Sequence, residues 1–327
     1  MKEVNDVLME NQKKRPLIVL TGPTSVGKTK LSIALAKAVN GEIISADSMQ
    51  VYHHMDIGTA KITKEEMDGV NHYLVDQYEP DEEFNVVEFQ KEAKKAIEEI
   101  YAKGKIPLIV GGTGFYIQAV LNDIDFTENE QDTTYRRELE ELANKEGAGV
   151  LHQMLREVDE ESAEAIHENN VKKVIRALEF FKMTGEPISK HNVEQRAKKS
   201  PYQFMYFVLD QKRDVLYANI DKRVDIMMEN GLLEEVKRLK EMGYDRSLVS
   251  MQGIGYKEIL AYLEGECSLE EAVYIIKRDT RHFAKRQMTW FRRERDVTMV
   301  PKQDFENDED KILEYMLKLL REKGILS

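Results

Sequence analysis

The stretch Gly22-Pro23-Thr24-Ser25-Val26-Gly27-Lys28-Thr29 fits the pattern GxxxxGK[ST], between a short apolar run, Leu17 to Thr21, and a helical stretch, Lys28 to Asn40, closed by Gly41. Strand, glycine loop and helix, in that order, form the context that makes the pattern a phosphate-binding loop. The glycines let the backbone curl so that its N–H groups and the helix N-terminus converge on phosphate oxygens. Lys28 adds a cation, and the Thr29 hydroxyl is a ligand for Mg2+. A chain built around this loop is constrained to a parallel α/β sheet whose ligands bind at the carboxyl ends of its strands.

Other segments fit that sheet. Glu42 to Asp47 is a second apolar run, ending in a carboxylate. Ile106 to Val110 is a third, preceded by a helix from Val86 to Lys103 with Gly104 as its stop, and Phe204 to Leu209 adds a further strand. Between residues 123 and 198 the pattern changes to charged helices such as Tyr135 to Lys145 and Val171 to Met183, which predicts a helical insertion. Residues 1–122 and 199–327 then form a core of the P-loop NTPase-like α/β class. Its later part is helical: Asp214 to Met242, a turn containing Gly253 and Gly255, Leu269 to Arg293, and a final helix after Asp308.

The loop specifies a polyphosphate, not the nucleoside of ATP. A nucleotide hydrolase would add an apolar strand ending in an aspartate that holds the metal. Ile106 to Val110 ends instead in Gly111-Gly112-Thr113. Asp47, at the end of the second strand, is placed to hold Mg2+, to accept a proton, or both.

A net charge of −12 argues against nucleic acid as a partner only if the charge is evenly spread, and it is not. From Lys277 to Arg295 there are eight Lys or Arg against two acidic residues, a local +6. At 100° per residue Arg278, Arg281, Lys285 and Arg292 share one helix face, with Val273, Ile276, Phe283, Gln287 and Trp290 roughly opposite. One face suits phosphate and the other a core. Cys267 is the only cysteine, which excludes an internal disulfide and fits a reducing, cytoplasmic setting. No apolar run approaches the ~20 residues that span a bilayer. His53 and His54 lack metal-ligand spacing, Tyr52 and Phe115 read as core aromatics, and no obligate protein partner is implied.

Several segments together resemble the bacterial tRNA dimethylallyltransferase family. These are Asp47-Ser48-Met49-Gln50-Val51-Tyr52, Met55-Asp56-Ile57-Gly58-Thr59-Ala60-Lys61, Gly111-Gly112-Thr113-Gly114-Phe115-Tyr116, Gly253-Ile254-Gly255-Tyr256-Lys257, and Thr280-Arg281 with Ala284-Lys285-Arg286-Gln287-Met288-Thr289-Trp290. They run in the family's order from residue 17 to about 295. The resemblance implies transfer of a dimethylallyl group from dimethylallyl diphosphate to the N6 amine of the adenosine next to the anticodon, with Mg2+ as cofactor. It implies that Gly22 to Thr29 hold the diphosphate, that Thr29 binds the metal, and that Asp47, Thr113 and Arg223 are catalytic, Asp47 as general base. It also implies tRNA contacts at Asp47, Ser48, Met49, Gln50 and Thr113, at Arg136 within Asp132-Thr133-Thr134-Tyr135-Arg136, and at Lys172, Lys173, Val174, Ile175 and Arg176. Further contacts are implied at Gln252, Gly253, Gly255 and Lys257, and at Arg278, Arg281, Lys285 and Arg286. The chain departs from the family where His167-Glu168-Asn169-Asn170 replaces HPND and Lys173 replaces an arginine, which trades a bidentate fork for a point charge.

Three other readings compete. A small-metabolite kinase explains Lys28 and Thr29 but not the late basic helix. An adenylate isopentenyltransferase shares the donor but needs neither that helix nor the insertion. A non-catalytic RNA-binding module leaves the phosphate loop and Asp47 without a use.

Overall fold

A computed structural model describes residues 14–126 and 133–326. Six strands form one parallel sheet in the order β3-β2-β4-β1-β5-β6, with β1 Arg15–Thr21, β2 Gly41–Ala46, β3 His72–Tyr73, β4 Ile106–Gly111, β5 Tyr202–Asp210 and β6 Val297–Pro301. The two outermost strands, β3 and β6, carry too little apolar pattern to be read from sequence. The inner strands are near-continuous apolar runs because both faces of the sheet are covered.

Alternate residues of β1 enter different layers. Leu17 and Val19 pack with Phe89, Ile97, Val236, Ile259, Ile276 and Phe291 from the helices Val86–Ala102, Leu232–Glu241, Tyr256–Leu263 and Leu269–Phe291. Ile18 and Leu20 pack with Leu31, Leu35, Ile312, Met316 and Leu320 from the helices Lys28–Ala38 and Glu309–Glu322. The registers Thr21↔Gly111 and Ala46↔Gly111 bring the ends of β1, β4 and β2 into one row. That row positions the site.

Two sequence readings change. The helix after the phosphate loop ends at Ala38, and Asn40 takes the left-handed turn at φ +51, so Gly41 is not its stop. Gly41 instead begins β2, where an added Cβ would come within 2.3 Å of Leu108 Cδ1 and 2.7 Å of the Ile106 carbonyl. The stretch Asp214 to Met242 is two helices, Arg213–Glu229 and Leu232–Glu241, because Gly231 at φ +96 lets the chain turn between them.

The chain divides into two compact units, one comprising residues up to Leu121 with those from Pro201 onward and the other Asn122–Ser200. In the described residues of the second unit five helices, from Thr133–Glu146 to Ile188–Ala197, surround Leu139, Leu151, Leu155, Val174, Ile175 and Leu178. Asp159 ties this unit together, accepting from the N–H groups of Ser162 at 3.0 Å and Ser189 at 2.9 Å.

Candidate active site

The loop that follows β1 has the conformation its glycines permit. Gly27 sits at φ +96 before the helix Lys28–Ala38, and Ser25 is also left-handed at φ +62. The Ser25 hydroxyl is buried without a hydrogen-bond partner among the described residues. Lys28 curls back to donate to the carbonyls of Gly22 at 2.9 Å and Pro23 at 2.8 Å. Desolvation pushes its ammonium down to about 7, and the nearby positive charge of Arg223 pushes the same way, while Asp47 opposes both. Burial also lowers Arg223 from its ordinary range, against the charges of Asp47 and Glu66. Neither cation is in an ion pair with a carboxylate among the described residues. Two cations held this way favour an incoming anion.

Asp47 emerges directly from β2. Its Oδ1 accepts from the N–H groups of Met49 at 2.9 Å and Gln50 at 3.4 Å, which fixes the carboxylate, and Oδ2 takes no hydrogen bond among the described residues. Thr113 follows β4, with its N–H on the Ala46 carbonyl at 3.1 Å. So Asp47, Thr113, Lys28 and Arg223 meet at the carboxyl edge of the sheet.

Three residues to which motif reading assigned no site contact support this region. Gln287, buried in the helix Leu269–Phe291, accepts from Thr24 N–H at 2.9 Å and donates to the Gly112 carbonyl at 3.0 Å, tying the phosphate loop to the turn before Thr113. A Cβ on Gly112 would lie 2.2 Å from Gln287 Nε2, and one on Gly114 would lie 2.2 Å from Trp290 Nε1, so these glycines are there to admit that helix. Lys302, just past β6, donates to the Val26 carbonyl at 3.2 Å. Glu235, on the helix Leu232–Glu241, is 1% exposed. It accepts from the N–H groups of Asp56 at 3.0 Å, Ile57 at 2.8 Å and Gly58 at 3.0 Å, and from the Tyr256 hydroxyl at 2.7 Å. Burial first, then that carboxylate, hold the Tyr256 phenol well above its ordinary range, so it stays a donor. Glu235 and Gln287 leave a trace in sequence: each interrupts an apolar helical stripe, Leu232/Val236/Leu239 and Ala284/Met288/Phe291. Lys302 leaves none.

Other expected contacts fare unevenly. Ser48 and Met49 are half-buried beside Asp47. Gln50 uses its side-chain N–H groups on the carbonyls of Thr59 at 3.2 Å and Ala60 at 3.1 Å, and its Oε1 takes no hydrogen bond among the described residues. Gln252 donates to the Arg246 carbonyl. Gly253 admits the Met49 methyl, which would be 2.7 Å from an added Cβ, and Gly255 at φ +102 opens the helix Tyr256–Leu263. Lys257 lies 3.5 Å from Glu258.

On the basic helix, Arg278 pairs with Asp279 at 2.7 Å, Arg281 with Asp221, and Arg292 with Asp210 at 3.4 Å. Lys285 and Arg286 are exposed and lack a carboxylate partner among the described residues. The face read as core is shifted: Phe283 and Trp290 are 37% and 36% exposed, and Ala284, Met288 and Phe291 are buried instead. Tyr52 is core at 2% exposed, but Phe115 is 40% exposed, its ring edge-on to Trp290 at 6.4 Å.

In the helical unit, Arg136 forms a two-pronged pair with Glu179 at 2.9 and 2.8 Å. Val174 and Ile175 are 0% and 3% exposed because their apolar side chains fill that unit's core, so only Lys172, Lys173 and Arg176 of the run present side chains to solvent. Asp132 lies outside the described residues.

Among the described residues no cluster of three His, Cys, Asp or Glu could cage a metal. Thr29 Oγ1 and Asp47 Oδ2, which take no hydrogen bond among the described residues, are hard donors, the kind Mg2+ takes alongside substrate phosphates.

The family model for IPP transferase matches residues 50–294. The chain belongs to this family. It is 70% identical over 312 residues to the tRNA dimethylallyltransferase of Lachnoclostridium phytofermentans, covering 95% of this chain and 99% of that protein. Among solved structures, the tRNA isopentenylpyrophosphate transferase of Bacillus halodurans superposes with TM-score 0.71 at 46% identity, covering 95% of this chain and 98% of that one. A eukaryotic dimethylallyltransferase acting on tRNA superposes with TM-score 0.77 at 33% identity, covering 88% and 74%. The match to the IPP transferase family agrees with the resemblance read from the motifs. No helix among the described residues is long and apolar enough to cross a membrane.

Proposed function

We propose that this IPP transferase moves the dimethylallyl group of dimethylallyl diphosphate to the N6 amine of the adenosine 3′ to the anticodon in tRNA, releasing diphosphate, in the cytoplasm. The observation that carries the reading is the Asp47 carboxylate beside two cations, Lys28 and Arg223, that have no carboxylate ion pair of their own among the described residues.

An adenine N6 lone pair is delocalised into the ring, so attack on the allylic carbon needs its proton removed as the bond forms. Asp47 Oδ2 takes that proton. The new N–C bond forms as the allylic C–O bond breaks, and the electron pair leaves with the diphosphate. Backbone N–H groups of the Gly22 to Thr29 loop, Lys28 and Arg223 meet the charge that grows on the leaving oxygens. Thr29 would hold Mg2+ together with the phosphates, and the ion would neutralise part of their charge. Thr113 closes the acceptor side of the site.

The acceptor is read as tRNA, rather than a free nucleotide, because Lys285 and Arg286 stand exposed on the helix whose Gln287 braces the phosphate loop. Lys172, Lys173 and Arg176 of the helical unit supply further exposed cations. A single-stranded loop also lets the target base be splayed from its stack. Incubation with labelled dimethylallyl diphosphate and tRNA, AMP or ATP, with and without Mg2+, tests the reading. Label is expected in tRNA alone and only with Mg2+; label in AMP or ATP would refute it.

A further inference from the structure

We infer that Glu235 is a positioning residue for the acceptor side of the reaction: its buried carboxylate sets the segment that carries Asp47 and Gln50, although it lies far from them in sequence. The inference rests on the proposed acceptor reading.

Three consecutive N–H groups, of Asp56, Ile57 and Gly58, converge on the Glu235 carboxylate, an arrangement that ordinarily binds a free anion. The turn they begin continues through Thr59 and Ala60, whose carbonyls take the side-chain N–H groups of Gln50. The backbone N–H of Gln50 in turn bonds Asp47 Oδ1.

A second route starts from the same carboxylate. It holds the Tyr256 hydroxyl, whose ring lies so close to Gly58 that an added Cβ there would come within 2.5 Å of Tyr256 Cζ. Tyr256 opens the helix that follows Gly253, and the Met49 methyl packs on Gly253. The first route ends at Gln50 and Asp47, the second at Met49. Neither includes the Gly22 to Thr29 loop.

Lys61 braces the other side of the turn, bonding the Tyr52 carbonyl at 2.6 Å and Asp76 at 2.7 Å. With that brace intact, Glu235→Gln should loosen the turn without unfolding it. An amide offers one acceptor oxygen where the carboxylate had two, and it turns a donor toward an N–H.

The test compares Glu235→Gln with wild type in steady-state transfer and in hydrogen exchange. The expected result is a fall of about tenfold in kcat/KM for tRNA, the scale of losing a hydrogen bond to a charged acceptor. Donor binding, read by titration of dimethylallyl diphosphate, should stay within twofold. Exchange should quicken in the Asp56 to Gly58 amides and stay unchanged in Val26 to Thr29. Tyr256→Phe, which leaves the three amide bonds in place, should show a smaller loss of the same kind. Unchanged kcat/KM for tRNA, or donor affinity and tRNA turnover falling in equal proportion, would overturn the inference. Failure of wild type itself to label tRNA would instead overturn the acceptor reading.

Discussion

The two ends of β2 carry acidic side chains in opposite circumstances. At the amino end Glu42 is fully satisfied: it pairs with Lys105 at 2.8 Å and Lys103 at 2.9 Å and accepts from the Tyr73 hydroxyl at 3.0 Å. Burial pushes its carboxyl up, but hydrogen bonds from Lys105, Lys103, Tyr73 and Asn71 outweigh this and hold it at about 2. At the carboxyl end Asp47 keeps one oxygen open, and Lys28 and Arg223 stand near it without an ion pair among the described residues. One strand thus holds a closed charge cluster that stabilises and an open one awaiting a partner. On the proposed reading, the difference separates folding from function along a single short strand.

The sharpest way to break this contrast is to remove the open carboxylate. Asp47→Ala should lower kcat by ~10²–10⁴-fold, the usual worth of a general base, with dimethylallyl diphosphate binding changed no more than severalfold. Single-turnover transfer and a donor titration together check this. Wild-type turnover would remove Asp47 from the chemistry.

Next in size is the proton linkage at Lys28. Desolvation holds it at about 7 in the free protein, and bound diphosphate favours the ammonium, so binding must raise that value. Above pH 7 the donor should therefore bind with proton uptake, and its affinity should fall as pH rises from 7 to 9. Calorimetry at pH 8 in buffers of different ionisation enthalpy should show uptake in wild type beyond that of Lys28→Met, which should also bind the donor more weakly at pH 6.5.

A smaller effect is expected on the basic helix. Lys285 and Arg286 have no carboxylate partner among the described residues, whereas the charge of Arg281 is already engaged by Asp221. Replacing both Lys285 and Arg286 with Ala should flatten the slope of log affinity for tRNA against log salt by about 1.4, at ~0.7 for each phosphate no longer neutralised. Arg281→Ala should change that slope less than either.

The smallest effect on activity belongs to the closed end. Glu42→Gln should leave transfer unchanged at 25 °C yet cost ~2 kcal/mol of stability at pH 7, because two lysines lose their buried acceptor. The sign of the pH dependence follows from a depressed carboxyl. Its contribution is complete above the ordinary value near 4.5 and disappears as pH falls through about 2. Denaturant titrations should therefore show the gap between variant and wild type closing between pH 4.5 and 2.

Much of this was legible in the sequence because local pattern and tertiary context agree there. The phosphate loop lies between an apolar strand and a helix, and Asp47 directly follows the apolar run that forms β2. What stayed hidden depends on long-range approach. Lys302 reaches the Val26 carbonyl across 276 residues, and Gln287 reaches Thr24 across 263. No local period encodes such approaches. Glu235 and Gln287 did leave a mark, as polar side chains set into apolar helical stripes, but a stripe alone does not say what the buried group will meet. Helix periodicity also misplaced Phe283 and Trp290, because the helix packs on Ala284, Met288 and Phe291 and leaves those aromatic rings at its margin. Val174 and Ile175 show the converse: they lie within a motif-matched run yet face their own unit's core.

The most direct test of the open carboxyl edge is a crystal structure with dimethylallyl diphosphate bound. The account predicts phosphate oxygens within hydrogen-bond distance of the Gly22 to Thr29 backbone N–H groups, Lys28 and Arg223, with Asp47 Oδ2 turned toward the space beside the allylic carbon. Phosphates seated elsewhere, or an Asp47 carboxylate turned away from that carbon, would contradict it.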